Sequence, residues 1–115
     1  MNTFVSFELA KLLKEKGFDD ICNKWYSVEG GLYCQDEFDN CRGFIPAYEC
    51  EAPTIAEVVM WLYDNHKIWI VVFPTEQDWT FDIFKGLDCV KSESFFNTPV
   101  NTYEAAIEYT LNNLV

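Results

Sequence analysis

The chain has 115 residues, half of them apolar, which is the length of one domain and enough for a core that buries roughly 65% of what an unfolded chain exposes. That apolar share excludes intrinsic disorder, and no run reaches the about 18–20 apolar residues of a membrane helix. Net charge is −11, with acids and lysines in balance over residues 1–26 and the whole excess after them; such a surface repels phosphate backbones, and no Lys/Arg cluster is present to release their counterions. Direct nucleic-acid binding and membrane insertion are therefore not expected. The start Met1-Asn2-Thr3-Phe4 lacks the basic residues and apolar core of a signal peptide, so a cytoplasmic chain with reduced cysteines is expected. The odd cysteine count, five, fits that reading.

In chain order, a first helix is expected over residues 7–16. Ser6 is a good N-cap, and Leu9, Leu12 and Leu13 form a narrow apolar stripe. Gly17 stands where a left-handed C′ residue is wanted, and Phe18 follows at C″, able to fold back on Leu13. Residues 25–28 and 32–34 read as short strands joined by Glu29-Gly30-Gly31, since glycine accepts the positive φ of a tight hairpin. Residues 36–42 read as an exposed acidic loop, and residues 44–48 as an extended lead into the next helix.

The most regular stretch runs over residues 53–86. Ile55, Val58, Val59, Leu62 and Tyr63 recur at helical spacing, and Thr54 with Glu57 three residues on has the pattern of a capping box. Residues 68–73 are six apolar side chains rich in β-branched types, expected as a strand buried on both faces. Thr75-Glu76-Gln77-Asp78 is a polar turn, Pro74 closes the strand before it, and Trp79, Phe81 and Ile83 alternate with Thr80, Asp82 and Phe84 as a second strand with one buried face. Residues 87–93 are ambiguous, a bulge or short strand, and Phe95-Phe96 reads as a brief strand. A last helix is expected from Tyr103, capped by Thr102, with Ala106, Ile107, Thr110, Leu111 and Leu114 on one face.

Candidate chemistry is sparse. His66, the sole histidine, lies near a helix C-terminus, which favours imidazolium, and no local signature pairs it with a cysteine nucleophile. Cys22, Cys34, Cys41 and Cys50 are separated by eleven, six and eight residues, not by the two to four that let one turn present two thiolates to zinc. The acidic run Asp36-Glu37-Phe38-Asp39-Asn40 lacks the Gly and the final Glu of a calcium loop. Neither a cofactor, a metal nor catalysis is expected. Of the twenty aromatics most are expected in the core, Tyr63, Phe73, Trp79, Phe81 and Tyr103 among them. Trp61, with Met60 beside it, sits off the helical stripe, where it either is covered by neighbouring segments, the stronger reading, or anchors a protein interface. Trp61 and the acids Asp36, Glu37 and Asp39 are the candidate interaction residues.

Four blocks, SFELAKLLKEKGFDD, APTIAEVVMWLYDNHKIWIVVFP, WTFDIFK and NTYEAAIEYTLNNL, cover about half the chain. In that order they resemble a family of small proteins of unassigned activity found in phages, prophages and gut bacteria, with a variable acidic insert after the first helix. The resemblance implies a phage-linked origin and no catalytic residues. The order helix, strand, strand, strand, helix over residues 54–115 is also similar to the layout of double-stranded RNA-binding domains, a likeness of topology alone. The last helix of those domains opens on a lysine-rich turn, which is missing here. The expected fold is a single α+β domain, an antiparallel sheet of three to five strands with three helices packed on it. The expected function is a non-enzymatic protein-interaction module with a protein partner, open to homodimerisation through a strand edge. The alternative is an acidic mimic of nucleic acid that blocks a host DNA- or RNA-binding defence protein.

Overall fold

A computed structural model describes residues 3–34 and 46–115, and the fold is α+β, with three helices and two three-stranded antiparallel sheets where one sheet of three to five strands was expected. The chain divides into two compact units, Phe4–Thr54 and a second unit of Met1–Thr3 with Ile55–Val115.

In the first unit, α1 (Phe7–Glu15) begins and ends as its residues dictate. The Ser6 hydroxyl accepts from the Leu9 N–H at 3.2 Å, satisfying one of the donors a helix start leaves over. Gly17 takes φ +97°, and the Phe18 and Gly17 amides bond to the Leu13 and Lys14 carbonyls at 3.0 and 3.2 Å, the Schellman pattern that buries Phe18 with Leu13. The sheet has the order β2-β1-β3, formed by β1 (Lys24–Ser27), β2 (Leu32–Cys34) and β3 (Tyr48–Glu51). The β1–β2 loop starts one residue earlier than expected. Gly30 donates to the Ser27 carbonyl and the Ser27 amide to Gly31, both at 2.9 Å, which closes a three-residue loop over Val28-Glu29-Gly30 with Gly30 at φ +90°. The strand β3 extends three residues beyond the expected extended lead, which ended at Tyr48: Glu49 and Glu51 have low strand propensity and give no strand signal, and only pairing with β1 reveals it. Of the expected extended lead, residues 44 and 45 lie outside the described residues. Leu9, Leu13, Trp25, Tyr26 and Cys50 are among the buried side chains of this unit.

In the second unit, α2 (Ile55–His66) is followed by β4 (Ile68–Pro74), β5 (Trp79–Lys85), β6 (Asp88–Phe96) and α3 (Pro99–Asn113), the helix-strand-strand-strand-helix order expected. The β4–β5 turn is the polar one expected, with the Thr75 amide on the Asp78 carbonyl at 2.8 Å and the Thr75 hydroxyl on the Asp78 carboxylate. The ambiguous stretch 87–93 is instead part of a continuous β6, joined to β5 through Gly86-Leu87 with Gly86 at φ +67°. The register slips twice along β5–β6, so nine residues of β6 run beside the seven of β5. The start of α3 also moves. Thr98 is the cap, accepting from the Asn101 amide at 3.1 Å, and Pro99 is the first helical residue, where its missing N–H costs nothing. Thr102, expected as the cap, is fully buried inside the helix, its hydroxyl bonded to the Thr98 carbonyl at 2.6 Å.

The helix α3 lies against all three strands and α2 against β4. Ile68, Ile70, Phe81 and Ile83 of the sheet are buried, as are Ile55, Val58 and Leu62 of α2 and Ala106, Ile107 and Leu111 of α3. No helix among the described residues is long and apolar enough to cross a membrane.

Candidate interaction surface

Strand alternation puts the odd-numbered residues of β4 on the sheet face opposite Ile68 and Ile70. That face was expected to be buried. It is not: Trp69 is 40% exposed, and Phe84, directly opposite it on β5, is half-buried. From α2, Tyr63 meets Trp69 edge-on with ring centroids 5.5 Å apart. Met60 lies one helical turn before Tyr63. Together with Gly86 these side chains line an open apolar groove of about 480 Å³. Met60 is 48% and Tyr63 45% exposed, so three large apolar groups of one cluster meet solvent. Isolated exposed apolar groups are ordinary, but a contiguous patch of them marks a contact surface. Helical spacing puts Glu57 and Asp64 one turn either side of Met60, and alternation puts Asp82 on the same sheet face as Phe84, against Lys67, whose ammonium lies 5.4 Å from the Tyr63 ring.

The residues singled out in the sequence are not in this patch. Trp61 is 6% exposed, its ring edge-on to His66 at 5.1 Å, so it presents no surface to a partner. Asp36, Glu37 and Asp39 lie outside the described residues. Tyr63, expected in the core, is out, and Trp61 is in. The two flank the helical stripe on opposite sides, and α2 has rolled toward the larger indole, which has more apolar area to bury. A signal for the patch was present: Phe84 is an apolar residue in the solvent phase of an otherwise alternating strand.

Other groups with chemical potential are satisfied locally. Cys22, Cys34, Cys50 and Cys89 are free thiols, and among the described residues no group of three or more His, Cys, Asp or Glu is placed to hold a metal. Cys41 lies outside them. Burial, helped by Glu49, pushes the Cys50 thiol up to about 11, which makes it inert at neutral pH. Among the described residues His66 forms no ion pair with a carboxylate. The first unit has a cleft of about 430 Å³ lined by Lys14, Phe18, Asp19, Ile21, Tyr48 and Glu51. Its polar groups engage one another: Lys14 donates to the Glu49 carbonyl and lies over the Tyr48 ring, while partial burial and the Glu51 carboxylate hold the Tyr48 phenol well above its ordinary range.

Fold and surface together define a small acidic α+β protein with one exposed aromatic face on its second unit. No protein-family model, no curated protein and no solved structure matches the chain.

Proposed function

We propose that this chain is a non-catalytic protein-interaction module of the cytoplasm, phage-linked in origin, whose face of Met60, Tyr63, Trp69 and Phe84 binds a protein carrying an apolar side chain flanked by lysine or arginine. The observation that carries it is the exposure of that cluster, since aromatic and Met side chains held on rigid elements are what interface centres are made of. These neighbouring acids, Glu57, Asp64 and Asp82, and the net charge of −11 favour a basic partner and speed its approach. The described carboxylates are dispersed over all three helices, over β3, β5 and β6 and over several loops, which supports apolar contact rather than a phosphate-like ridge as the source of affinity. The first turn of α3, Pro99-Val100-Asn101-Thr102, carries no charge and so offers nucleic acid no cation.

Panning a random displayed peptide library against the purified protein tests the reading. Peptides pairing Trp, Phe or Leu with Lys or Arg are expected to be enriched. Trp69→Ser is expected to weaken them at least about tenfold while the far-ultraviolet dichroism stays that of the wild type. Failure of any peptide to enrich, or enriched peptides indifferent to Trp69→Ser, overturns it.

A further inference from the structure

The two edges of the β4-β5-β6 sheet are defended very differently. The β6 edge carries Asp88, Lys91 and Glu93 and two register slips, which twist a strand away from neighbours. The β4 edge, Ile-Trp-Ile-Val-Val-Phe-Pro, has no charge, no glycine and no slip against β5, and among the described residues it has no second ladder partner. An uncharged, regular, apolar edge is a template for another strand.

The direction of its free groups follows from the turn. The Thr75 amide points at Asp78, so in an unslipped antiparallel ladder Phe73, Val71 and Trp69 also point at β5, and Ile68, Ile70, Val72 and Pro74 point outward. Proline thus stands where its missing N–H breaks no bond within the sheet. Ile70 also lines a groove of about 230 Å³ with Trp69, with Val59 and Met60 of α2 and with Tyr103 of α3, so this groove adjoins the aromatic face.

We infer that β4 is the interface for a second copy of this chain, paired antiparallel about a two-fold axis at Val72. In that register the Val72 amide and carbonyl of each copy bond to those of the other. Ile70 of one copy stands opposite Pro74 of the second, the exposed Pro74 ring lies on the same sheet face as the groove beside Ile70 and fills it, and the Ile70 amide meets the Pro74 carbonyl. Val71 packs against the second copy's Phe73 on the other face. The contact is self-complementary, as a two-fold interface must be. It also brings two acidic chains together along a strand without carboxylates, so salt strengthens it by screening the charges elsewhere.

Sedimentation velocity over a range of concentration and salt decides it. The wild-type chain is expected to form a dimer that tightens as salt rises. Val72→Pro, which removes an outward amide and leaves the β4–β5 ladder whole, is expected to raise the dimer Kd at least about tenfold, as is Pro74→Glu at an exposed site. Both variants should keep the wild-type far-ultraviolet dichroism, and if Val72→Pro loses it, Pro74→Glu decides alone. A wild-type chain that stays monomeric at every concentration and salt overturns the inference, as does a dimer that Pro74→Glu leaves intact. The aromatic face shares Met60 and Trp69 with the groove beside Ile70 but not Phe84, so Phe84→Ser, on β5 and away from the β4 edge, separates the two readings: it weakens the peptides and leaves the dimer intact.

Discussion

Two residues hold backbone conformations that their side chains disfavour. Lys67 sits at φ +57° immediately after α2, its amide bonded to the Tyr63 carbonyl at 3.1 Å, in the left-handed position that usually belongs to glycine. Phe95 has φ +75° beside the register slip between Trp79 and Phe81, and its ring is 87% exposed. A left-handed non-glycine residue costs about 1–2 kcal/mol, part of which glycine returns as unfolded-state entropy. Lys67→Gly is therefore expected to stabilise the fold by about 1 kcal/mol in urea titration, less whatever the ammonium–Tyr63 contact contributes. Titration gives a second expectation at this scale. Cys50 in the folded state ionises near 11 against an ordinary 9.0, so above pH 9 the unfolded chain loses its proton first. Stability is then fully present below pH 9 and falls as pH rises toward 11. The raised Tyr48 phenol acts with the same sign at still higher pH. Thermal melts should show this decline, and Cys50→Ala should flatten its slope between pH 9 and 11 even though the smaller side chain lowers the melt overall.

Among the elements, α3 shows how a local signal can be present and still lose to a stronger-looking one. Thr98-Pro99 marks a helix start by cap and fixed φ, yet Val100 and Asn101 are indifferent helix formers, and the apolar period becomes regular only from Tyr103. Because the true cap is Thr98, Thr98→Ala is expected to cost about 1 kcal/mol, whereas Thr102→Val, inside the helix, replaces a buried hydroxyl that already bonds its own backbone. Equilibrium unfolding of the two variants checks the assignment: a larger loss for Thr102→Val would move the helix start back. The roll of α2 belongs to the same scale. A 3.6-residue period locates a stripe but leaves its borders open, and the packing of Trp61 against His66 settles them.

For the whole molecule the governing quantity is charge. Among the described residues, Lys11, Lys14, Lys24, Lys67 and Lys91 each lie within 4.5–5.6 Å of an aromatic centroid. The pair Lys11–Glu8, 3.3 Å apart, is exposed and contributes little. An acidic surface so arranged repels itself, and screening relieves the repulsion. Raising sodium chloride is expected to raise the melting temperature, with most of the gain at low ionic strength. A melt that falls with salt would mean that ion pairs dominate instead.

Local grammar determined much of this protein. Ser6 and Gly17 delimit α1, the polar turn between Pro74 and Trp79 makes the β4–β5 hairpin, and the period over residues 55–66 makes α2, because caps, turns and amphipathic spacing act through neighbours in the chain. The α+β class and the helix-strand-strand-strand-helix order follow from them. Tertiary structure alone decided which faces are left over. The six apolar residues 68–73 read as buried on both sides, since sequence records how apolar a strand is and not how many layers cover it. Only the packed fold shows that the helices cover the face of Ile68 and Ile70 while Trp69 and Phe84 stay at the surface with Tyr63 and Met60. The candidate site is made of residues up to twenty-four positions apart, and no short-range rule brings Met60 to Phe84.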